Sequence, residues 1–167
     1  GPAGSGKTTI SKKVVESLEG VWAYLSQDEI RLFIKKGYKY PEEEWTDETQ
    51  KQWDISISIC TDIIQEYYNA GINCVVELFA PPSEFDEKWK PALKDIEYKI
   101  VVLLANAQVT LYRNRHRIGL NAMKELQVRE HIGWFDKWQD SDVKKVETTN
   151  RSIEETIAMI YRILDEK

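Results

Sequence analysis

The first nine residues of the chain limit more than any other stretch what it can fold into. They read Gly-Pro-Ala-Gly-Ser-Gly-Lys-Thr-Thr and match the pattern G-x-x-x-x-G-K-[ST] at every fixed position. Glycines in such a loop allow consecutive backbone N–H groups to turn toward one anion. A helix that begins at Lys7 adds the positive end of its dipole. The motif therefore predicts a phosphate-binding loop (P-loop) that leads into a helix.

Side chains of this loop extend the prediction from phosphate to a metal-bound nucleotide. Lys7 can place a positive charge near the β- and γ-phosphates, and the Thr8 hydroxyl can ligate Mg²⁺. We therefore expect ATP and Mg²⁺ as cofactors. The predicted nucleotide-binding residues of the loop are Gly1, Ala3, Gly4, Ser5, Gly6, Lys7, Thr8 and Thr9. Because a P-loop follows a strand, we also expect a short apolar strand before Gly1.

Predicted strands and helices alternate along the rest of the chain, which indicates an α/β fold with a parallel, doubly wound sheet. The predicted strands are 21–25, 72–79, 98–104 and 143–148. Three of the predicted helices end at a glycine: the first begins at 7 and stops at Gly20, the second begins at 27 and stops at Gly37, and a later one begins at about 108 and is interrupted at Gly119. The other predicted helices are 47–69, 83–89, 121–138 and one that begins at 153. We expect one domain, residues 1–167, with a lid at about 113–130 and a substrate-side cap at about 37–55.

The net charge, the apolar runs and the cysteines limit the kinds of partner and compartment that we expect for this protein. A net charge of −5 and a pI of about 5.2 argue against long nucleic acid as the main partner, although a local basic cluster could overrule this. No apolar run is long enough to cross a membrane. Cys60 and Cys74 are expected to be buried free thiols in a reducing compartment, so we expect a cytoplasmic protein. We further expect it to be a monomer or homodimer and to act on a small molecule.

Carboxylates at two predicted strand ends are candidates for the chemistry. Asp28 follows the second strand and could accept a proton from a substrate hydroxyl, and Arg31 shares its helical face and could hold the substrate. Glu77 lies at the end of the best predicted strand. It could hold metal-bound water, contact the substrate, or be a buried hydrogen-bonding carboxylate.

A cluster of arginines is the candidate lid. Arg113 and Arg117 lie four residues apart on one helical face and suit the spread charge of a transferring phosphoryl group, whereas Arg115 points elsewhere. Gly119 could act as a hinge.

Other residues in and around these segments have open or structural interpretations. Four aromatic residues could line a substrate pocket or pack in the core: Tyr38, Tyr40, Trp45 and Trp53. The two histidines, His116 and His131, are predicted to be structural or surface residues.

Taken together, residues 1–9, 27–31, 113–117 and 147–150 resemble the small P-loop kinases. The subgroup is that of gluconate kinase-like, zeta-toxin-like and polynucleotide 5′-kinase-like phosphotransferases. The resemblance implies a three-layer P-loop NTPase fold with Asp28 as the base and Arg113 and Arg117 around the phosphates. It also implies that residues 148–150, including Thr149 and Asn150, help to hold the adenine. Many members have Asp where this chain has Glu77, and the acceptor stays open.

These observations predict an ATP-dependent kinase that phosphorylates a hydroxyl of a small polar metabolite such as a sugar, sugar acid, nucleoside or antibiotic. Its predicted catalytic residues are Lys7, Asp28, Arg113 and Arg117. One alternative is a polynucleotide 5′-hydroxyl kinase. Another is a switch module in which ATP binding or hydrolysis only moves the lid.

Overall fold

Four short strands alternate with eight helices in the computed structural model, which describes residues 1–116, 122–140 and 142–165. The strands are β1 (Trp22–Ser26), β2 (Asn73–Glu77), β3 (Ile100–Leu104) and β4 (Val143–Glu147). The helices are α1 (Lys7–Ser17), α2 (Gln27–Arg31), α3 (Asp47–Asn69), α4 (Pro82–Glu84), α5 (Lys90–Ala92), α6 (Ala107–Arg115), α7 (Glu125–Asp136) and α8 (Ile153–Asp165). A π-helical turn, Phe85–Trp89, joins α4 to α5.

The described strands form two parallel pairs. β1 pairs with β2 so that Ser26 lies opposite Glu77, and β3 pairs with β4 so that Leu104 lies opposite Glu147. Both pairs present their carboxyl ends to the P-loop, where a parallel α/β fold places its ligand site. Parallel strands flanked by helices confirm the predicted fold class. The strand expected before Gly1 stays a prediction.

Helices cover the strands on two sides, which gives the three layers. On one side, α3 and α7 contribute buried side chains such as Trp53, Cys60 and Phe135, which pack with Val102 of β3. A second cluster joins α1 and α8 to β3 and β4: Ile10, Val14, Leu103, Val146 and Ile160. Burial of this apolar surface stabilises the fold on both sides of the strands.

The two cysteines are free thiols, as predicted, but only Cys60 is fully buried. Burial raises the pKa of Cys60 to about 12 and also raises the pKa of the half-buried Cys74. Among the described residues, no helix is both long and apolar enough to span a membrane.

The predicted element boundaries are correct where a cap defines them. Helix α3 has the predicted bounds because Thr46 caps it through a reciprocal pair of bonds with Thr49. Helix α2 begins as predicted, since the Ser26 hydroxyl accepts the Glu29 N–H, but it does not continue to Gly37. After Arg31, the backbone N–H groups of Phe33 and Ile34 donate to carbonyl oxygens three residues earlier, as in a 3₁₀ turn, instead of four. The prediction of a longer helix was therefore wrong.

The bounds of four further elements differ from the prediction. Strands β2 and β3 are shorter than predicted, and their bounds are those of the residues paired with β1 and β4. The helix predicted over 83–89 is longer, with the π-helical turn in its middle. Helix α7 begins at Glu125 instead of 121, a residue that lies outside the described part of the chain, as do Arg117 and Gly119.

Candidate active site

The P-loop has a backbone shape that its glycines make possible. Gly4 and Gly6 have φ angles of 80° and 95°, in the left-handed region that side chains disfavour. A Cβ on Gly4 would also lie only 2.7 Å from the carbonyl oxygen of Thr110 in α6. Helix α1 begins at Lys7, whose ammonium group donates to the carbonyl oxygen of Pro2 at 2.9 Å. The loop is therefore closed on itself and packed directly against α6.

A cleft of about 430 Å³ surrounds the loop. It brings together most of the residues that the sequence predicted for the site: Ala3, Gly4, Ser5, Gly6, Lys7, Thr8, Thr9, Asp28, Glu77 and Arg113. Residues from α1, β2, α2 and α6 thus meet in one cleft, although they lie far apart in the sequence.

Glu77 occupies the end of β2, where it joins the P-loop to β1. Its side chain is buried, and its Oε1 accepts the hydroxyl of Thr8 at 2.7 Å. Its Oε2 accepts the hydroxyl of Tyr24 at 2.7 Å. Burial, together with the neighbouring Glu77, raises the pKa of Tyr24, so this hydroxyl stays protonated and acts as a donor. No motif in the sequence indicates this role for Tyr24.

Thr8 and Glu77 are the groups that fit a magnesium ion. The described residues contain no cluster of three or more His, Cys, Asp or Glu side chains that could form a complete metal cage. Mg²⁺ is usually bound by one or two protein oxygens together with substrate phosphates and water. A hydroxyl and a buried carboxylate beside a P-loop provide that kind of donor set.

Asp28 lies in the first turn of α2, at the edge of the cleft, and its partner is Arg31. The Arg31 Nη1 donates to Asp28 Oδ1 at 2.9 Å, and its Nη2 donates to the Tyr38 hydroxyl at 2.6 Å. The guanidinium also stacks on Trp53, with Cζ 4.7 Å from the ring centroid. Arg31 is buried while Asp28 stays partly exposed. This arrangement leaves Asp28 accessible. Arg31 does not line the cleft, and its predicted contact with a substrate stays a prediction.

Tyr38 and Trp53 both belong to the predicted cap. Burial raises the pKa of Tyr38 to about 12, although the adjacent Arg31 opposes the shift. Tyr40 packs edge-on against Tyr38, and Trp45 packs against Trp53. The four aromatic residues therefore form two packed pairs, and one member of each pair, Tyr38 or Trp53, contacts Arg31. Their contact with a substrate stays a prediction.

Arg113 reaches the P-loop from α6 and lines the same cleft, and its role toward the phosphates stays a prediction. Its guanidinium contacts the hydroxyl and carbonyl oxygens of Thr148 at 3.4 and 3.5 Å. The Thr148 hydroxyl lies 3.1 Å from the Ser5 carbonyl oxygen and 2.9 Å from that of Leu104. Thr148 therefore ties the end of β4 to the loop and to β3, and Arg113 lies over that junction.

Some predicted site residues do not line the cleft. Gly1 packs against β3, where a Cβ would lie 2.4 Å from the Leu103 carbonyl oxygen. The Thr149 hydroxyl bonds to Glu147 and accepts the N–H of Asn106, and Asn150 is exposed. Their roles toward a nucleotide stay predictions.

Four residues that follow β4 line the cleft but were not predicted to belong to the site: Arg151, Ser152, Ile153 and Thr156. The sequence did contain a signal, because Ser152 caps the helix that follows β4.

The described part of the chain includes two members of the arginine cluster, Arg113 and Arg115. Arg115 turns to solvent and pairs with Glu125 at 3.3 Å, away from the loop. Arg117 lies outside the described residues. The exposed His116 uses its Nδ1 in a bond with the Tyr112 carbonyl oxygen.

His131 packs between Phe79 and Trp134, with ring centroids 4.7 Å away on each side. Burial first, and the charge of Lys7 second, lower its pKa to about 4.

The fold and this site define a P-loop nucleotide-binding protein. The sequence profile of the AAA domain family matches residues 1–137. The chain belongs to that family, which agrees with the resemblance found in its motifs.

Solved structures with the same fold cover nearly the whole chain. A sugar kinase from Janibacter sp. HTCC2649 is 19% identical, with a TM-score of 0.65 over 98% of this chain and 90% of its own. The APS kinase CysC of Mycobacterium tuberculosis, in complex with AMPPNP and APS, is 16% identical, with a TM-score of 0.67 over 99% and 94%. A gluconokinase from Sinorhizobium meliloti 1021 is 17% identical, with a TM-score of 0.60 over 98% and 91%. A search of curated proteins finds no significant match.

Proposed function

We propose that this chain is an ATP-dependent kinase that transfers the γ-phosphate to a hydroxyl group of a small polar metabolite. One observation carries the proposal: the Asp28 carboxylate opens onto the same cleft as Lys7 and Thr8. A protein that only binds or hydrolyses nucleotide needs no carboxylate oriented for an acceptor hydroxyl. Structural neighbours named sugar kinase, APS kinase and gluconokinase support the same activity.

The residues of the cleft divide the reaction between them. Asp28 accepts the proton of the acceptor hydroxyl as that oxygen attacks the γ-phosphorus, and the bond from this phosphorus to the β–γ bridging oxygen breaks. Arg31 keeps Asp28 oriented through its 2.9 Å ion pair. Lys7 and Arg113 hold the phosphates. Mg²⁺, held by Thr8 and by Glu77 directly or through water, would offset the charge of the β- and γ-phosphates.

The predicted cap does not line the cleft itself, but it reaches Asp28 through Arg31. Tyr38 and Trp53 reach Arg31 from the segment predicted as the cap, about 37–55. We therefore propose that the cap contributes to acceptor binding and that the segment predicted as the lid, about 113–130, covers the nucleotide.

The proposal is tested by a transfer screen with the Asp28→Asn variant. Labelled ATP is offered with pooled sugars, sugar acids, nucleosides, aminoglycosides and 5′-hydroxyl oligonucleotides. Loss of a general base should lower transfer by roughly 10²- to 10⁴-fold. AMPPNP affinity should change little, because Asp28 lies on the acceptor side. The control is Asp62→Asn, which changes an exposed carboxylate on α3 and should leave both unchanged.

Other outcomes would change the conclusion. Transfer that survives Asp28→Asn would show that Asp28 is not the base. Steady ATP hydrolysis with no labelled acceptor would favour the switch module. Labelling of the oligonucleotides alone would identify a polynucleotide 5′-hydroxyl kinase.

A further inference from the structure

The Tyr24 hydroxyl is the partner that holds Glu77 from the side opposite the P-loop. Tyr24 lies on β1, opposite Val75, two residues before the position where Ser26 lies opposite Glu77. This register brings the Tyr24 hydroxyl to 2.7 Å from Glu77 Oε2, while Oε1 faces Thr8 at the same distance. One carboxylate oxygen is therefore held by the sheet, and the other is directed at the metal-binding hydroxyl.

The Tyr24 ring is itself fixed by charged groups from two helices. The Lys12 ammonium of α1 lies 5.2 Å from the ring centroid and pairs with Glu29 of α2 at 3.0 Å. These contacts involve the ring, whereas the hydroxyl faces Glu77 and also interacts with the Ser26 side chain. Removal of the hydroxyl alone should therefore change what Glu77 can do without displacing the ring.

We propose that Tyr24 is a positioning residue that keeps Glu77 Oε1 directed at Thr8 and thereby strengthens Mg²⁺ binding in the nucleotide complex. The inference rests on the proposed function for its nucleotide. Without the Tyr24 hydroxyl, the Glu77 carboxylate can rotate away from Thr8. Partners of this kind, which orient a metal-binding group without touching the metal, commonly change metal affinity by about 10- to 100-fold.

Tyr24→Phe tests this through nucleotide binding, without any acceptor. Calorimetry measures the affinity of AMPPNP with Mg²⁺ and with EDTA. In the variant, the gain in affinity that Mg²⁺ confers should fall by about 10-fold. The affinity in EDTA should stay within about 2-fold of wild type, because Tyr24 makes no contribution to the P-loop itself. Tyr161→Phe is the matched control, since it removes a tyrosine hydroxyl that bonds to Ser17 far from Glu77.

The double variant with Glu77→Gln separates positioning from general packing. If Tyr24 acts through the Glu77 carboxylate, Tyr24→Phe should have no further effect on the magnesium gain in the Glu77→Gln background. Two results would overturn the inference while leaving the kinase proposal intact. One is that Tyr24→Phe lowers the Mg²⁺-dependent increase in AMPPNP affinity equally in the wild-type and Glu77→Gln proteins. The other is that Tyr24→Phe leaves this increase at its wild-type value. Wild-type protein that binds no AMPPNP would overturn both the inference and the kinase proposal.

Discussion

Acidification should destabilise this protein through the ring of His131. The ring is packed between Phe79 and Trp134, and burial together with the charge of Lys7 lowers its pKa from 6.5 to about 4. As the pH falls through 6.5, His131 in the unfolded chain takes up a proton, whereas in the folded chain it stays neutral until about pH 4. Stability is therefore fully present above pH 6.5 and is lost as the pH falls toward 4.

The size of the loss follows from the two pKa values. A fall from 6.5 to about 4 corresponds to about 3 kcal/mol, at about 1.4 kcal/mol per pH unit. Part of the ring is exposed to solvent, which screens the effect, so we expect about 2 kcal/mol. For a domain of this size, that is a substantial part of the free energy of unfolding.

Urea unfolding at about pH 7.5 and about pH 4.5, followed by tryptophan fluorescence, measures the loss. His131→Phe keeps a ring between Phe79 and Trp134 but cannot take up the proton, so it should lose about 2 kcal/mol less than wild type over this range. His116→Gln removes the exposed histidine and serves as the control. If His131→Phe loses as much stability on acidification as wild type, the physical reasoning about this ring is wrong.

Two more substitutions test the packing behind the site. Gly4→Ala combines a φ of 80° with a Cβ 2.7 Å from the Thr110 carbonyl oxygen, and should lower stability by about 2 kcal/mol or more and abolish AMPPNP binding. Gly20 has a similar left-handed φ of 91°, but a Cβ there would meet open space. Comparing the thermal unfolding of Gly4→Ala and Gly20→Ala therefore separates the cost of backbone strain from the cost of the steric clash with Thr110. Trp53→Phe removes the indole N–H that donates to the half-buried Glu84 at 2.7 Å, and should destabilise by about 1–3 kcal/mol in urea unfolding. Equal stability of this variant and wild type would mean that Glu84 finds another partner.

Local signals in the sequence were sufficient for the P-loop and for α3. A fixed motif with left-handed glycines leaves little choice of backbone, and Thr46 with Thr49 defines the start of α3 to the residue. Helix α2 was predicted too long because apolar residues after Arg31 continue a helical pattern. In the structure, Phe33 is 69% exposed, so that pattern does not correspond to a buried face.

Contacts between distant residues could not be predicted in the same way. The spacing of Asp28 and Arg31 placed both on one face but did not show that Trp53 would cover the guanidinium. Likewise, Tyr24 and Glu77 are 53 positions apart, and only the parallel register of β1 and β2 brings them together. Such contacts depend on the packed arrangement of elements, which no local pattern specifies.

The end of β1 is the place where the two halves of the proposed chemistry are connected. Ser26 lies opposite Glu77 in the sheet, and Asp28 follows two residues later. Glu77 is held by Tyr24 and Asp28 by Arg31. In the proposed mechanism, Glu77 serves the metal and Asp28 serves the acceptor. Because each carboxylate has its own partner, changes to the cap should affect acceptor use before they affect nucleotide affinity. Changes at Tyr24 on β1 should instead affect nucleotide affinity before they affect acceptor use.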